Sequence, residues 1–594
     1  MIAALTTLSA CAVPTATETQ PQETATEFVA RVNQELSELG DESGSAAWIQ
    51  STYINRDSAK IAARSQERNA AFHSASVAAS KAYDLNTIDP AAARAIQLLK
   101  LGTSQPAPDS DAARRELAQI TTRMEGAYGA GKYCPAEGDC QTLGQLSNIM
   151  ATSRDYDEQL EAWLGWRTVS PAMRDDYQRF AELTNAGAAE LGFTNLGDMW
   201  KSGYDMATDD FDQETSRLWQ QVEPLYEALH CYVRQELSDT YGEERVSPNG
   251  PIPAHLLGNM WSQSWGNIYD LVEPYPGVAS ADVSAALVEQ EYTPVQMVEL
   301  AEDFFVSLGL PELPDSFYER SQFTKPRDRE VVCHASAWPL EGGDDVRIKM
   351  CIEPTFDMLS TIYHELGHIY YFLAYNEQPP LFQDGAHDGF HEGIGDTITL
   401  SLTPAFLQQV GLIENVAEGD EALINTQMQM ALDKIAFLPF GKLIDEWRWR
   451  VFSGEIAPEN YNAAWWELRR RYQGIEAPVA RSESDFDPGA KYHIPANTPY
   501  TRYFLAHILQ FQFQRALCDA AGFEGPLHEC SIYGSQEAGD RLEAMLAAGS
   551  SQPWQDSLEM VTGTREMDAS ALVEYFTPLL GWLEEENQDQ SCGW

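Results

Sequence analysis

The sequence predicts a mostly α-helical protein: a large helical body with a small β-ribbon near a pair of histidines. Apolar residues recur at three-to-four-residue spacing along most of the chain, as on the buried face of an amphipathic helix. Only residues 329–352 contain two short β-prone runs, and these flank the turn-like sequence EGGDD. The sequence HELGH, residues 364–368, spaces its two histidines by one helical turn.

Composition bounds the class of protein. Of 594 residues, 44% are hydrophobic, which is enough apolar material for a large core. The formal net charge of −51 disfavours nucleic acid and anionic lipid as partners, because both need clustered Lys and Arg. An acidic surface keeps a secreted protein soluble, and attraction of cationic peptides is a secondary interpretation. The sequence has no run of 20 apolar residues, so no transmembrane helix is expected.

The first 24 residues are expected to lie outside the fold. An apolar stretch runs into the sequence LSAC, which ends at Cys11, and a polar tether follows. This resembles the end of a bacterial lipoprotein signal, in which the cysteine carries a lipid, although no basic region is present and only ten residues precede Cys11. A degraded secretory signal and a frayed apolar terminus are the alternatives.

The nine cysteines include three pairs that are close in the sequence. Short-range pairs favour disulfides in an oxidising compartment, and buried free thiols are the alternative. The pairs are Cys134 with Cys140, Cys333 with Cys351, and Cys518 with Cys530. Cys231 and Cys592 have no obvious partner in the sequence.

Helical periodicity predicts individual helices on both sides of the β-prone region. Clusters of Pro and Gly, as in residues 247–259 and 484–500, separate them. The clearest helical segments are 26–54, 64–85, 224–242, 293–310, 354–375 and 389–402.

The helix predicted over residues 354–375 places His364 and His368 on one face, where two imidazoles can share one metal ion. A catalytic zinc ion needs three protein ligands and one open position for water. Glu365 adjoins the first histidine, where a carboxylate takes a proton from that water. The motif HExxH is only modest evidence, so a third ligand is needed.

The helix predicted over residues 389–402 supplies that ligand. Glu392 follows His368 by 24 residues and is the expected third ligand. Asp396 comes four residues later, and it is expected to accept a hydrogen bond from the far nitrogen of a ligating histidine and so set its tautomer. Two structural helices with surface carboxylates are the alternative interpretation.

These motifs together resemble the angiotensin-converting enzyme family of zinc peptidyl dipeptidases. The resemblance covers about residues 25–590 and implies a single peptidase domain over residues 25–594. It implies a helical ellipsoid divided by a deep active-site channel, with an HExxH zincin centre and a downstream Glu ligand. Other stretches that resemble the family, in its order, include MATSRDYDEQLEAWLGWR, PIPAHLLGNMWSQSWGNIYDLV, VVCHASAW, ALDKIAFLPF, EWRWRVFSGEI and KYHIPANTPYTRYF.

The resemblance implies release of C-terminal dipeptides from short peptides with a free carboxylate. It makes Zn²⁺ the cofactor, bound by His364, His368 and Glu392, with Glu365 as the general base. Donors to the developing oxyanion would be His493 and Tyr503. A substrate would add as an extended strand beside the ribbon, which a Cys333–Cys351 bridge would brace. The implied substrate-binding residues are His334, Ala335, Ala337, Gln263, Lys491, Tyr500 and Phe437.

The resemblance also implies chloride as an activator. Arg167, Trp465 and Arg469 match one anion site of the family, and Tyr204 with Arg502 matches the other. The alternative is that these arginines pair with carboxylates, which are abundant here. Three residues depart from the family pattern in the substrate pockets on the C-terminal side of the cleaved bond: Met358, Thr361 and His507. They leave open which substrate side chains these pockets prefer.

A single-residue carboxypeptidase is the nearer rival, but Gln263 stands where that branch of the family has Arg. A non-catalytic binding homologue would be expected to lack a zinc ligand or the base, and all are present. The expected protein is an exported bacterial one, periplasmic, secreted, or anchored by a lipid at Cys11. It is expected to be a monomer or a weak dimer.

Overall fold

The computed structural model describes residues 23–278, 282–340, 345–416 and 419–594. Helices dominate these residues, and their strands form only two-stranded sheets, so the prediction of a mostly α-helical protein is confirmed. Among them, no helix is both long enough and apolar enough to cross a membrane. Cys11 and the rest of the predicted N-terminal segment up to residue 22 lie outside the described residues.

The N-terminal helices share a small core of their own. Thr24 starts the first of them: its side chain accepts from the backbone of Glu27, and the Glu27 carboxylate accepts from the backbone of Thr24 in return. Phe28, Val32 and Ile96 belong to the apolar cluster that joins these helices. The helices are α1 (Ala25–Thr52), α2 (Arg56–Ser80) and α3 (Pro90–Leu101).

The next helices begin the main core. Among them, α4 packs against α7, α7 against α8, and α8 against α9. Helix α9 has 34 residues, contains Pro224 and carries Cys231. A short antiparallel ribbon, β1 (Lys132–Tyr133) with β2 (Gln141–Thr142), precedes α5. The helices are α4 (Asp111–Gly129), α5 (Leu143–Thr152), α6 (Tyr156–Arg167), α7 (Arg174–Glu190), α8 (Leu196–Ser202) and α9 (Thr208–Tyr241).

The β-ribbon near the site is shorter than the sequence predicts. Strand β4 (Ser336–Leu340) pairs antiparallel with β5 (Asp345–Lys349). Residues 341–344, most of the predicted EGGDD turn, lie outside the described residues. The chain before Ser336 forms no strand. The N–H of Val332 donates to the carbonyl oxygen of Ser51, at the end of α1, at 2.9 Å, and the Lys349 ammonium binds the carbonyl oxygens of Val332 and His334.

Between α9 and the two site helices, the described residues form four α-helices. The first lies beyond β3 (Ile252–Pro253), which pairs in parallel with β6 (Ile475–Glu476). Thr293 and Gln296 form a capping box at the start of the third, as the segment 293–310 predicts. These helices are α10 (Tyr269–Val272), α11 (Val283–Glu289), α12 (Pro294–Ser307) and α13 (Asp315–Arg320).

The two helices predicted to carry the metal ligands are α14 (Phe356–Tyr375) and α15 (Asp388–Leu400). They cross where Gly367 faces Gly395: a Cβ on Gly367 would lie only 2.8 Å from Cα of Gly395. Two side chains at this crossing would force the helices apart. The glycines therefore set the close approach of the two helices.

The C-terminal half of the chain supplies α19, which packs against α15. Most buried apolar side chains of the described residues, from α4 onwards, form one continuous core. Helix α19 packs along α15 on the side away from α14. The remaining helices are α16 (Pro404–Gln409), α17 (Asp420–Phe452), α18 (Tyr461–Gln473), α19 (Thr501–Ala520), α20 (Gln536–Ala548), α21 (Trp554–Thr562), α22 (Ser570–Tyr575) and α23 (Thr577–Glu586).

Candidate active site

The two histidines of HELGH lie half-buried on one face of α14. Thr355 caps this helix by accepting from the backbone N–H of Met358 at 3.2 Å. The opposite face of the helix buries Tyr363 and Leu366 in the main core. Burial of one face therefore turns the histidine face toward α15.

Helix α15 brings Glu392 to these histidines. One nitrogen of His364, one of His368 and one carboxylate oxygen of Glu392 all lie within 4.8 Å of one another. The separation between Nε2 of His364 and Oε2 of Glu392 is 3.6 Å. Two imidazole nitrogens and one carboxylate oxygen form a donor set that catalytic zinc prefers, with a fourth position left for water or substrate.

Asp396 lies behind His364, as predicted. Its Oδ1 is 3.1 Å from Nδ1 of His364, and its Oδ2 accepts from Nζ of Lys434 at 2.9 Å and from Nε2 of Gln510 at 3.2 Å. Burial favours the neutral carboxyl, but the Lys434 charge and the His364 hydrogen bond outweigh burial and hold the pKa of Asp396 below its ordinary value. An ionised Asp396 holds the proton of His364 on Nδ1 and leaves Nε2 free.

The charges around His364 fit a bound cation. Burial alone would lower its pKa, but hydrogen bonds to Asp396 and Glu392 and their negative charges raise the pKa of His364 to about 10. Without a metal this pocket binds a proton strongly, because two carboxylates are close to one imidazole. A divalent cation meets the same electrostatic demand, and the donor set therefore fits zinc.

Glu365 points its carboxylate into a largely buried position beside the ligands. Glu365 as a whole residue is only 7% exposed. Burial raises its pKa above the ordinary value, and the positive charge of His364 opposes this in part. A carboxylate of raised pKa is a better proton acceptor at neutral pH, which suits a general base.

The residues expected to stabilise the oxyanion lie close together. The ring centroids of His493 and Tyr503 are 6.0 Å apart, and the Tyr500 ring packs against both. Burial and nearby cations lower the pKa of His493 to about 3, while burial raises that of Tyr503. Both groups are therefore neutral hydrogen-bond donors near neutral pH.

Three of the implied substrate-binding residues, Gln263, Lys491 and Tyr500, lie together, where they can hold a substrate carboxylate. Nζ of Lys491 donates to Oε1 of Gln263 at 2.6 Å. The ammonium also lies over the rings of Trp261, at 4.5 Å from the centroid, and Tyr500, at 5.3 Å. Burial, with a smaller contribution from the Arg469 charge, lowers the pKa of Lys491 to about 7. A substrate carboxylate would supply the anion that this lysine lacks.

Comparison with known proteins agrees with this geometry. Residues 19–594 match the model of the angiotensin-converting enzyme family, peptidase family M2.

The chain belongs to this family.

Three relatives illustrate the match, and each bears the name angiotensin-converting enzyme. The Sus scrofa protein is 49% identical over 81% of this chain and 37% of its own length. The Oryctolagus cuniculus protein is 44% identical over 96% of this chain and 44% of its own length. The Theromyzon tessulatum protein is 45% identical over 80% of this chain and 78% of its own length. This chain thus spans less than half of either mammalian relative.

Family membership implies a catalytic zinc ion, which the donor set of His364, His368 and Glu392 fits. The three relatives are animal proteins and give no support to the expected bacterial source, which stays a prediction.

The predicted substrate strand is only partly a strand. Ala337 lies in β4 opposite Ile348, while His334 and Ala335 precede β4 in irregular backbone. Nδ1 of exposed His334 is 2.9 Å from the carbonyl oxygen of Ala335. The disulfide between Cys333 and Cys351 joins this segment to the residues after β5. The backbone at 334–335 is thus braced by a covalent bond and by Lys349, not by strand pairing.

Phe437, an implied substrate-pocket residue, packs on His507, one of the three residues that depart from the family pattern. Its ring stacks on His507 at 4.5 Å and tilts against Tyr500 at 5.8 Å. Nδ1 of His507 lies 2.9 Å from the carbonyl oxygen of Tyr503. The other two departures, Met358 and Thr361, lie on α14, where Thr361 donates to the carbonyl of Asp357.

The first predicted anion site is a buried arginine cluster. Arg167 donates to the carbonyl oxygen of Met260 at 3.0 Å, and Nη2 of Arg469 donates to that of Trp261 at 2.7 Å. The guanidinium of Arg469 lies 5.7 Å from the centroid of Trp465. Within the part of the chain that the structure describes, neither arginine has a hydrogen-bond partner for its buried Nε–H, and burial lowers the pKa of Arg469 to about 9.

A carboxylate already stands at the second predicted anion site. Nε of Arg502 is 3.1 Å from Oδ2 of Asp388. Tyr204 is buried nearby, and burial, followed by the negative charge of Asp388, raises its pKa. This geometry matches the alternative interpretation, in which the arginine pairs with a carboxylate. A weaker pairing exists at the first site, where Arg167 lies 3.9 Å from Asp487.

Sequence reasoning missed the pair on α17 that organises the catalytic segment. Oδ2 of Asp445 accepts from the backbone N–H groups of Tyr500 at 2.7 Å and Thr501 at 2.8 Å, and so caps α19. Arg448 binds the same carboxylate and donates to the carbonyl oxygen of His493 at 2.9 Å. The spacing of Asp445 and Arg448 along one helix was the available signal, but it does not reveal partners on another segment.

All three predicted disulfides are present, and so is a fourth that the sequence did not suggest. Cys231 on α9 bonds to Cys592, 361 residues later. The sequence could not pair these two because no local spacing relates them. Four bridges agree with folding in an oxidising compartment.

Proposed function

We propose that this protein is a zinc-dependent peptidyl dipeptidase that removes dipeptides from the free C-termini of short peptides. The observation that carries the proposal is the metal cluster of His364, His368 and Glu392, with Glu365 beside it. The name shared by the family's members supports the same activity.

The chemistry divides between a bound metal and the chain's own groups. A zinc ion held by His364, His368 and Glu392 would supply Lewis-acid chemistry. The carboxylate of Glu365 takes a proton from the attacking water and passes it to the amine that leaves. Its raised pKa makes it a stronger base than an exposed glutamate, so this transfer is favourable near neutral pH.

Two neutral donors stabilise the negative charge that develops on the substrate carbonyl oxygen. The Tyr503 hydroxyl and a ring N–H of His493 serve this role. Because both groups are largely buried and already oriented, little reorganisation is needed as charge develops.

The length of the released fragment depends on where the substrate carboxylate is held. Lys491 supplies a positive charge, and Gln263 and Tyr500 supply neutral donors. The 2.6 Å contact between Lys491 and Gln263 supports one shared binding point. Gln263, in place of the arginine of the single-residue branch, favours a carboxylate held far enough from the metal to release two residues.

Mass spectrometry of a ten-residue peptide with a free C-terminus tests the proposal. We expect stepwise loss of two residues, abolished by a zinc chelator and restored by added zinc. The variant Glu365→Gln should bind zinc normally but lose about 10²–10⁴-fold in kcat. A C-terminally amidated copy of the peptide should be cleaved far more slowly, because Lys491 then has no carboxylate to pair with.

The same experiment separates the rival functions. Loss of one residue at a time would assign a carboxypeptidase. Binding of zinc and peptide without any cleavage would assign a non-catalytic binding protein. Unimpaired cleavage by Glu365→Gln would remove that residue from the mechanism.

Chloride activation is part of the proposal at the first anion site. The Nε–H of Arg469, which has no hydrogen-bond partner among the described residues, supports an anion beside Trp465, whereas Nε of Arg167 lies 3.9 Å from Asp487. At the second site, chloride would have to compete with Asp388 for Arg502. We expect kcat/KM to rise with chloride at constant ionic strength, with acetate as the replacement anion. A flat response would reject activation.

The disulfides support an exported protein. Four bridges support export to an oxidising compartment, either secretion or the periplasm of a bacterium. A lipid at Cys11, a monomeric or weakly dimeric state and a deep channel that admits only short peptides belong to the same proposal. Cell fractionation with mass analysis of the mature N-terminus tests the source compartment and the lipid together.

A further inference from the structure

The second histidine of the metal cluster has a polar partner that the sequence motifs do not reveal. Nδ1 of His368 lies 3.4 Å from Nδ1 of His391, the residue just before Glu392 on α15. Nε2 of His391 in turn lies 3.1 Å from the hydroxyl of Tyr375, near the end of α14. Tyr375, His391 and His368 thus form a continuous chain of hydrogen-bonding groups between the two helices.

Aromatic packing holds the His391 ring in place. Its centroid lies 4.3 Å from that of Tyr371 and 5.2 Å from that of Phe372, both on α14. Tyr375 meets the ring nearly edge-on at 5.8 Å. With three rings from one helix around it, the imidazole presents its two nitrogens in fixed directions, one to His368 and one to Tyr375.

The arrangement parallels the one behind His364. There, Asp396 lies 3.1 Å from Nδ1 and leaves Nε2 to face Glu392. At His368 the Nδ1 position is likewise engaged, so Nε2 is the nitrogen free for a metal. A metal-binding histidine with Nε2 as its ligand atom carries its proton on Nδ1 and needs an acceptor there. His391 is the acceptor that the geometry provides.

We propose that His391 and Tyr375 are positioning residues that fix the tautomer and ring orientation of His368 for zinc. His368 donates from Nδ1 to Nδ1 of His391, and His391 donates from Nε2 to the Tyr375 oxygen. Because His391 also precedes Glu392 directly, the same ring ties two of the three ligands to one packed unit.

We call the hydrogen-bonded series Tyr375–His391–His368 the relay. Zinc affinity of the purified full-length chain tests it, with the dissociation constant measured by chelator competition at one fixed pH. His391→Phe keeps an aromatic ring but has no acceptor, and it should weaken zinc binding by about 10–100-fold. His391→Asn places an amide oxygen near the position of Nδ1 and should recover part of that loss. Tyr375→Phe removes a single oxygen and should weaken binding by a smaller factor.

Tyr371→Phe is the matched control. Its ring also packs on His391, but its hydroxyl contacts the backbone N–H of Ala386 and the sulfur of Met545. Zinc affinity should stay within about twofold of the parent chain, because no bond of the relay is lost. The melting temperature of each zinc-free variant shows whether a change in affinity reflects positioning or loss of packing.

The outcomes are decisive for the relay and separate from those for peptide cleavage. Unchanged zinc affinity in both His391→Phe and Tyr375→Phe would overturn it. So would equal loss in His391→Phe and His391→Asn, because packing alone would then explain the effect. If His391→Phe does not fold, the comparison of Tyr375→Phe with Tyr371→Phe still decides. None of these readouts depends on whether the enzyme releases one residue or two.

Discussion

The Lys491 ammonium shows how one residue's surroundings can set the pH range of an enzyme. It is only 6% exposed, and burial lowers its pKa to about 7 rather than the usual value near 10. The described residues place a neutral amide, Gln263, and aromatic rings against it, and no carboxylate within ion-pair distance. The free enzyme therefore stands near the midpoint of this group's titration at neutral pH.

We expect kcat/KM to fall as pH rises above about 7, by nearly tenfold per pH unit, because neutral Lys491 cannot pair with the substrate carboxylate. The profile should be recorded with a peptide whose own groups do not titrate in that range. In Lys491→Gln, kcat/KM should be low throughout and this alkaline fall should disappear. Persistence of the same fall in Lys491→Gln would assign it to another group.

At the scale of elements, the crossing of α14 and α15 decides whether the metal cluster exists. A Cβ on Gly395 would lie 2.8 Å from Nδ1 of His364, the atom that bonds to Asp396. Contacts this short force a shift of the neighbour. A methyl group here would therefore act directly on the first zinc ligand and on the distance between the helices.

Gly395→Ala should weaken zinc binding by at least about tenfold, because His364 must leave its bond to Asp396. Gly393→Ala is the matched control on the same helix, where the new Cβ meets its nearest neighbour, Leu509, at an ordinary 3.4 Å. Zinc affinity measured by chelator competition should change little in this control. Equal affinities in the two variants would mean that α15 tolerates the displacement.

A buried ion pair on α17, Asp445 with Arg448, joins this helix to the start of α19. Asp445 and Arg448 are almost fully buried and bind one another, and together they hold the backbone at His493, Tyr500 and Thr501. Removing one charge of a buried pair leaves the other uncompensated, which costs about 3–5 kcal/mol.

Asp445→Asn should lower thermal stability and reduce kcat/KM even at temperatures where the variant is folded, because Tyr500 and His493 lose their anchors. Circular dichroism establishes the folded range, and peptide cleavage is then measured within it. Glu421→Gln changes an exposed carboxylate on the same helix, away from this pair, and should behave like the parent chain. Normal kcat/KM in folded Asp445→Asn would show that the segment holds its shape without this cap.

At the scale of the whole molecule, the chain's C-terminal residues are tied back to α9. Beside the Cys231–Cys592 bond, Arg234 donates to the carbonyl oxygen of Ser591 at 2.6 Å. The Trp594 ring packs on His230 at 4.6 Å between centroids, and His230 binds the carbonyl oxygen of Gly474 at 2.9 Å. These contacts join the end of the chain to residues over 100 positions earlier.

Loss of this disulfide should lower the melting temperature more than loss of a local one. In the chain-entropy model, closing 361 residues stabilises by about 6 kcal/mol, and closing the six between Cys134 and Cys140 by about 2 kcal/mol. Thermal unfolding of two double Cys→Ser variants, one per bridge, compares them, and zinc affinity should be unchanged in both. A larger effect of the local pair would contradict the prediction.

Local patterns were enough for the two site helices and for the metal-binding motif, although α9 begins at Thr208 and was predicted only from residue 224. Periodicity predicted α14 and α15 to within two residues at each end, because the burial of one helix face imposes it. The same reasoning predicted the ribbon but not where its first strand begins: Val331 and Val332 are β-prone, yet they precede β4 and form no strand. There, Ser51 at the end of α1 and Lys349 bind the backbone of Val332.

The sequence by itself determined the chemistry: histidines one helical turn apart with a carboxylate between them, a third ligand on the next helix, and a family-wide pattern around them. Helical geometry relates residues a few positions apart, so such sets are readable from the chain. Only the tertiary structure decided which distant groups meet. Lys491 on Gln263, Cys231 with Cys592 and His391 behind His368 depend on how helices cross, and the packing of the whole core, not local spacing, sets those crossings.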